Sequence, residues 1–200
     1  ASARKMANDR VDGILGLLDN RLAPQNALLT EPVSTDRPVS PSVGFTPEFE
    51  EMFRRPASDN AKIVKDLLKR LTTLSPPYLF ELARRLYPSD AKQAVAFYWL
   101  ARLRAFSDAA LCSDASALSG VDQWNAIMGD VMTHISANPE AGRAGIRKAL
   151  ELEKSFPVEA SPRWICFSGI AGHEAAARGE ELSDWHLPEA QWAGLRDGIS

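Results

Sequence analysis

Apolar residues recur every three or four positions along most of the chain after residue 57, which is the period of an α-helix. Prolines and small polar residues interrupt this pattern and mark where one helix ends and the next begins. The pattern predicts five helices, over residues 58–74, 77–87, 91–111, 121–135 and 140–154. The third carries apolar residues around more than half of its circumference, so we expect it to be the central and most buried helix.

The first 57 residues show a different pattern. Residues 11–22 carry one apolar stripe at helical spacing, which predicts a short amphipathic helix. Residues 30–47 hold four prolines among serine, threonine and aspartate, which predicts an extended arm or linker. A short helix is expected to start near Thr46, with Pro47 at its first position.

The C-terminal part gives a weaker signal. Residues 164–167 form an apolar run of unassigned structure, residues 173–178 are predicted to be helical, and residues 188–196 to add a last helical turn or two. No pair of alternating runs joined by a turn indicates a β-hairpin. The sequence predicts an all-α fold, a single compact bundle of about five to seven helices with a proline-rich N-terminal arm. We divide it into an N-terminal segment, 1–57, and a helical domain, 58–200.

The composition is that of an ordinary globular domain, with 45% hydrophobic and 24% charged residues among 200. The net charge is −3 and the sequence pI is about 5.7. This balance argues against general nucleic-acid binding, which needs a basic face, so we expect no nucleic-acid partner. One short segment is basic, but its charges alternate with apolar residues as on a solvated helix face: Lys62, Lys65, Lys69 and Arg70.

The location of the protein is predicted from its start and its apolar runs. No run approaches the roughly 20 apolar residues that span a bilayer, and residues 1–10 do not lead into a signal-peptide core. The chain begins at Ala1, consistent with a processed form that has lost an export signal or membrane anchor. It is equally consistent with an expression product lacking its first residues. We predict an exported, periplasmic location, with the cytoplasm as the alternative.

The two cysteines, Cys112 and Cys166, form neither a zinc pattern nor a Cys-x-x-Cys redox pair. They are compatible with two buried thiols in a cytosolic protein. They are equally compatible with one disulfide joining distant segments of an exported protein. The even count and the start at Ala1 favour the disulfide.

The sequence contains no recognisable catalytic or cofactor motif. His173-Glu174 begins like a metalloprotease helix, but the second histidine would stand at Ala177. Ser168 does not lie in a Gly-x-Ser-x-Gly elbow. Gly142 and Gly145 lack a phosphate-loop signature. Asp184 could orient His186, although a polar surface turn is the favoured interpretation. We therefore predict no catalytic residue, metal or cofactor, and a protein that is not an enzyme.

Four residues are candidates for partner binding. Arg102 and Arg104 lie in the strongly apolar third helix, where Arg104 has Asp108 four residues ahead as a candidate ion-pair partner. The favoured interpretation is a pair that packs helices, and the functional one is an anchor for an acidic partner. Trp185 and Trp192 lie in a polar, acidic tail, either as exposed binding hot spots or, as we favour, folded back over the core.

Residues 86–100 resemble helical-repeat proteins of the tetratricopeptide type, in which an Asp-x-x-x-Ala-x-x-x-Tyr run opens one helix of an antiparallel pair. Asp90, Ala94 and Tyr98 occupy these positions. The resemblance implies a helix pair with a small-residue contact at Ala94 and a binding role. The match covers fifteen residues and has no second copy, so it does not predict a repeat array.

The same block, continued through Leu103-Arg104, Cys112 and residues 162–166, also resembles small exported bacterial proteins, some of which are immunity proteins that plug a toxin's active site. The leading hypothesis is thus a non-enzymatic protein-binding helical protein, either an immunity or an accessory protein, whose partner is a basic toxin or a secretion-system component. The alternatives are a structural module of a secretion or envelope assembly, touching the membrane only through a removed anchor, and a small hydrolase or lipid-binding protein with a cavity between helices.

Overall fold

The structure is a computed structural model that describes residues 46–158, 160–180 and 182–192. These residues form nine α-helices and no strand, which confirms the all-α class. The helices are α1 Pro47–Arg54, α2 Asn60–Leu68, α3 Pro76–Leu86, α4 Ala91–Ala109, α5 Ser119–Ile127, α6 Gly129–Ala137, α7 Pro139–Ser155, α8 Arg163–Cys166 and α9 Ile170–Arg178.

The number of helices exceeds the expected five to seven because one predicted helix is divided into two and the short α8 adds another. The helix predicted over 121–135 breaks at Met128, whose backbone leaves the helical region, just before Gly129. Glycine is among the weakest helix formers, which places the break there. The helix predicted over 58–74 ends early, at Leu68. The chain continues as turns, and the carbonyl of Leu71 accepts a hydrogen bond from the Arg104 side chain.

Helix α4 is the centre of the bundle, as its apolar circumference predicts. Fourteen of its 19 residues are buried, and it packs mainly against α3 and α7. Gly145 of α7 makes the second contact close, because a Cβ at this position would lie 2.5 Å from Cγ1 of Val95. The glycines of α7 therefore serve helix packing.

Helix α1 packs onto the bundle through an aromatic contact. The Thr46 side chain caps the helix by accepting from the Phe49 N–H, and Pro47 is the first helical residue, as predicted. The Phe49 ring lies edge-on to Tyr78 and Trp124. The predicted helix at 11–22 and all but the last two residues of the arm at 30–47 lie outside the described residues, and the division into 1–57 and 58–200 stays a prediction.

After α7, the chain turns back along the C-terminal end of α4. The unassigned run at 164–167 is largely the short helix α8, and α9 ends at Gly179, which has a φ of 67°. A positive φ at this C-cap favours glycine. Residues 182–192 then contain an isolated bridge and a single 3₁₀ turn, Glu189–Gln191, so the last predicted helix is only that turn within the described residues.

Candidate partner-binding surface

A disulfide joins Cys112, just after α4, to Cys166, the last residue of α8. The two half-cystines are separated by 54 positions in sequence, and both are buried. Of the two states that the sequence left open for these cysteines, the structure shows the disulfide and not two free thiols. The bond fixes the position of α8 against the end of the central helix.

The segment that follows α9 is held beside the same disulfide by backbone hydrogen bonds. The Ser113 N–H donates to the Trp185 carbonyl at 3.1 Å, and the Leu187 N–H donates to the Leu111 carbonyl at 2.8 Å. These bonds flank an antiparallel bridge between Cys112 and His186. The Ser113 hydroxyl adds a bond to the carbonyl of Asp184. Residues 185–187 therefore pair with residues 111–113 in a defined register.

This register assembles four rings into what we call the aromatic surface, formed by Phe167, Trp185, His186 and Trp192. The Trp185 and His186 rings are 4.2 Å apart at the centroids, and His186 and Trp192 are 5.2 Å apart, both edge-on. The Trp185 ring also lies 6.4 Å from Phe167, the residue after Cys166. All four side chains are half-buried, so each combines a packed side with a solvent-facing one. Trp185 packs against Phe167, Trp192 packs against His186, and neither tryptophan is fully covered.

Polar contacts lock the same surface. The Trp192 indole N–H donates to the Leu187 carbonyl at 2.8 Å. His186 Nδ1 lies 2.7 Å from that same oxygen, so its ring is oriented by the backbone rather than by the Asp184 carboxylate. The guanidinium carbon of Arg163 lies 5.1 Å from the Phe167 ring centroid, in the range of a cation–π contact.

The Asp114 carboxylate connects the segment after α4 to the start of α9. It accepts hydrogen bonds from the Ser116 hydroxyl and N–H and from the Ala171 N–H in the first turn of α9. The Ser116 hydroxyl accepts from the Ile170 N–H, so two otherwise unpaired helix donors are satisfied from another segment. These bonds, led by that of the Ser116 side chain, hold the pKa of Asp114 below its usual value. A Cβ on Gly169 would overlap the Asp114 carboxylate, which explains the glycine there.

Arg104 is not a surface anchor, which corrects the functional interpretation. Its side chain is fully buried, and its guanidinium donates to the Glu153 carboxylate at 2.6 Å and to the carbonyls of Leu71 and Phe156. The expected helix-packing role is present, but the expected partner, Asp108, is wrong. Asp108, one turn further along α4, instead accepts from the indole of Trp164 on α8 at 2.8 Å.

Arg102 is also buried, at 5% exposure. It donates to the Asn125 side-chain oxygen and lies 4.0 Å from the Asp122 carboxylate. Its guanidinium lies 5.1 Å from the Phe106 ring and 5.9 Å from the Tyr98 ring. Burial raises the pKa of that tyrosine. Arg102 and Arg104 therefore serve helix packing. Of the four candidate residues, only the two tryptophans lie at the candidate surface.

Sequence reasoning missed a buried network around Glu81. This carboxylate is 1% exposed and accepts from both Arg84 and Arg85, the second at 2.5 Å. Arg85 also donates to the carbonyls of Met52 and Arg55, which ties α1 to α3. The Glu-x-x-Arg-Arg spacing puts these charges on one helix face and could have revealed the network.

A cleft of about 190 Å³ lies next to this network, lined by the end of α3 and by the break between α5 and α6. It is smaller than the roughly 300–1,000 Å³ of ordinary ligand sites. Of the three arginines that line it, Arg85 is already fully hydrogen-bonded within the protein, Arg84 is paired with Glu81, and Arg55 is paired with Glu51. The cleft thus offers no specific support for a hydrolase or lipid-binding function.

The described part of the chain contains no group of three or more histidine, cysteine or acidic residues arranged for a metal ion. None of the helices described there has the length and apolar character needed to cross a membrane. Comparison of the chain with protein-family models, curated proteins and solved structures finds no match. The resemblances to tetratricopeptide repeats and to immunity proteins stay predictions.

Proposed function

We propose that this chain is a non-enzymatic protein-binding protein of an oxidising, extracytoplasmic compartment, and that the aromatic surface contacts its partner. The observation that carries the proposal is the pair of half-buried tryptophans, fixed on either side of His186 by ring contacts and backbone bonds. Tryptophan supplies much of the binding energy in protein interfaces when it is held rigidly and partly exposed.

The disulfide supports the location and the preorganisation together. Cys166 directly precedes Phe167, and Cys112 forms the bridge to His186, so one covalent bond fixes both halves of the surface. Disulfides persist in oxidising compartments and are rare in the cytosol. A surface fixed before binding loses less conformational entropy when the partner docks. Toxin neutralisation is the specific role that the resemblance to immunity proteins adds to this proposal.

Site-specific photocrosslinking in native cells tests the proposal. A photoreactive residue at Gln191 is exposed beside Trp192 and leaves the four rings intact, whereas the same residue at Lys148 on α7 serves as the matched control. We expect one protein adduct of defined mass from position 191 and none from position 148. No adduct from position 191, or equal adducts from both positions, would contradict the proposal.

Two variants tie such an adduct to the rings. Trp185→Ala removes one ring and is expected to abolish the adduct at position 191. Ala190→Arg adds a bulky charge at an exposed position and removes no ring contact, so it is expected to have the same effect in a folded protein. Circular dichroism and a free-thiol count show whether each variant keeps its fold and its disulfide. An adduct that persists in both folded variants would exclude the rings as the contact.

A further inference from the structure

Resting on the proposed function, we propose that the aromatic surface binds an arginine-bearing basic segment of its protein partner. The first ground is charge. Between Arg178 and Arg196 the sequence holds four carboxylates and no lysine or arginine. Asp184 directly precedes Trp185, and Glu189 lies between the two tryptophans in sequence. Both are exposed, and neither carboxylate pairs with a cation within the described residues. These carboxylates favour a basic partner, because its positive charge would be complementary to theirs.

The second ground is the chemistry of the rings. Tryptophan has the most favourable aromatic face for a cation, and the flat guanidinium group stacks on such a face while its N–H groups reach neighbouring carboxylates. The protein already makes this contact at the edge of the surface, where Arg163 lies over Phe167. It recurs where Arg84 lies 5.1 Å from the Phe53 ring centroid. The solvent-facing side of Trp185 offers the equivalent position to an incoming arginine.

Arginine is favoured over lysine for a geometric reason. The ammonium group of lysine is a compact, strongly hydrated charge, whereas the guanidinium is more weakly hydrated and presents a planar fork of donors. Both properties suit a half-buried aromatic site in an acidic segment of the chain. A purely electrostatic acidic surface would bind the two cations alike.

Titration with short peptides tests this inference on the full, disulfide-bonded protein. The probes are peptides of alternating glycine with arginine, lysine or glutamate, and the readout is calorimetry together with the indole N–H signals in NMR spectra. We expect the arginine peptide to bind about fivefold more tightly than the lysine peptide and to shift the Trp185 signal. We expect no binding of the glutamate peptide.

Matched charge variants separate a defined site from general attraction. Asp184→Asn with Glu189→Gln is expected to weaken arginine-peptide binding about fivefold. Asp66→Asn with Glu151→Gln changes the net charge equally at exposed positions on α2 and α7, and is expected to change affinity less than about twofold. Equal weakening by both double variants, equal affinity for lysine, or no arginine-peptide binding would overturn the inference. If photocrosslinking at Gln191 still captures a partner, the proposed function survives that result; if it captures none, the proposed function itself fails.

Discussion

The central bundle and the C-terminal segment of this protein are stabilised in different ways. In α4, 14 of 19 residues are buried, whereas no residue in the described segment 182–192 is fully buried. The bundle gains its stability from apolar burial supplemented by internal arginine networks. The segment depends on a nearby disulfide, a few backbone hydrogen bonds and edge-on rings. A region with little burial can thus still present a defined surface when covalent and polar contacts fix its register.

Removing the disulfide should produce the largest effect and should separate the two regions. Replacing both Cys112 and Cys166 by alanine relaxes a loop of about 54 residues and is expected to cost about 4 kcal/mol in the free energy of unfolding. Urea denaturation measures this cost. Native-state hydrogen exchange is expected to show faster exchange at Ser113 and Leu187 than in α4. Equal acceleration in both regions would contradict the comparison.

The next largest effect concerns the bundle. Glu81→Gln leaves the buried Arg85 without its carboxylate, and we expect it to cost about 3 kcal/mol, because an uncompensated charge in the interior is unfavourable. Glu151→Gln removes an exposed ion pair with Lys148 and is expected to cost less than about 1 kcal/mol. Denaturant unfolding of both variants checks the difference. Similar values for the two would show that the buried network adds no more than a surface pair.

A pair of glycine substitutions tests how tightly the bundle is packed. Gly145→Ala places a methyl group against Val95 and is expected to destabilise the protein by about 1–3 kcal/mol. Gly129→Ala meets no atom within 4 Å and is expected to stabilise α6 by about 0.5–1 kcal/mol. Thermal unfolding of the two variants measures whether each substitution raises or lowers the stability of the protein. A neutral Gly145→Ala would mean that α4 and α7 separate easily.

The smallest effect concerns the support of the C-terminal segment and depends on pH. Because the folded pKa of Asp114 lies below its unfolded value of about 3.9, its contribution is present above that pH and is lost as pH falls through the folded pKa. Asp114→Asn is expected to cost about 1 kcal/mol near pH 7, as for a helix cap, and less below about pH 4. Urea denaturation between pH 3 and 7 measures the difference from the parent protein. A constant difference over this range would exclude the carboxylate charge as its cause.

Local pattern was sufficient for most of the helices and insufficient for the contacts between them. The spacing of Leu79, Leu82 and Leu86 predicts α3 because helical periodicity is a property of neighbouring residues. The same reasoning paired Arg104 with Asp108, four residues away, whereas the actual carboxylate is Glu153, 49 residues away. Spacing along one helix cannot show which second helix supplies a partner.

The sequence by itself determined the all-α class, the start of α1 at Pro47, the burial of α4 and the acidic charge around the two tryptophans. Only the tertiary structure decided that Cys112 and Cys166 are bonded and that Cys112 faces His186. The reason is physical: helix formation and net charge depend on residues close in sequence, whereas a disulfide and a ring cluster require distant segments to meet. That meeting is set by the packing of α8 against α4, which no local pattern encodes.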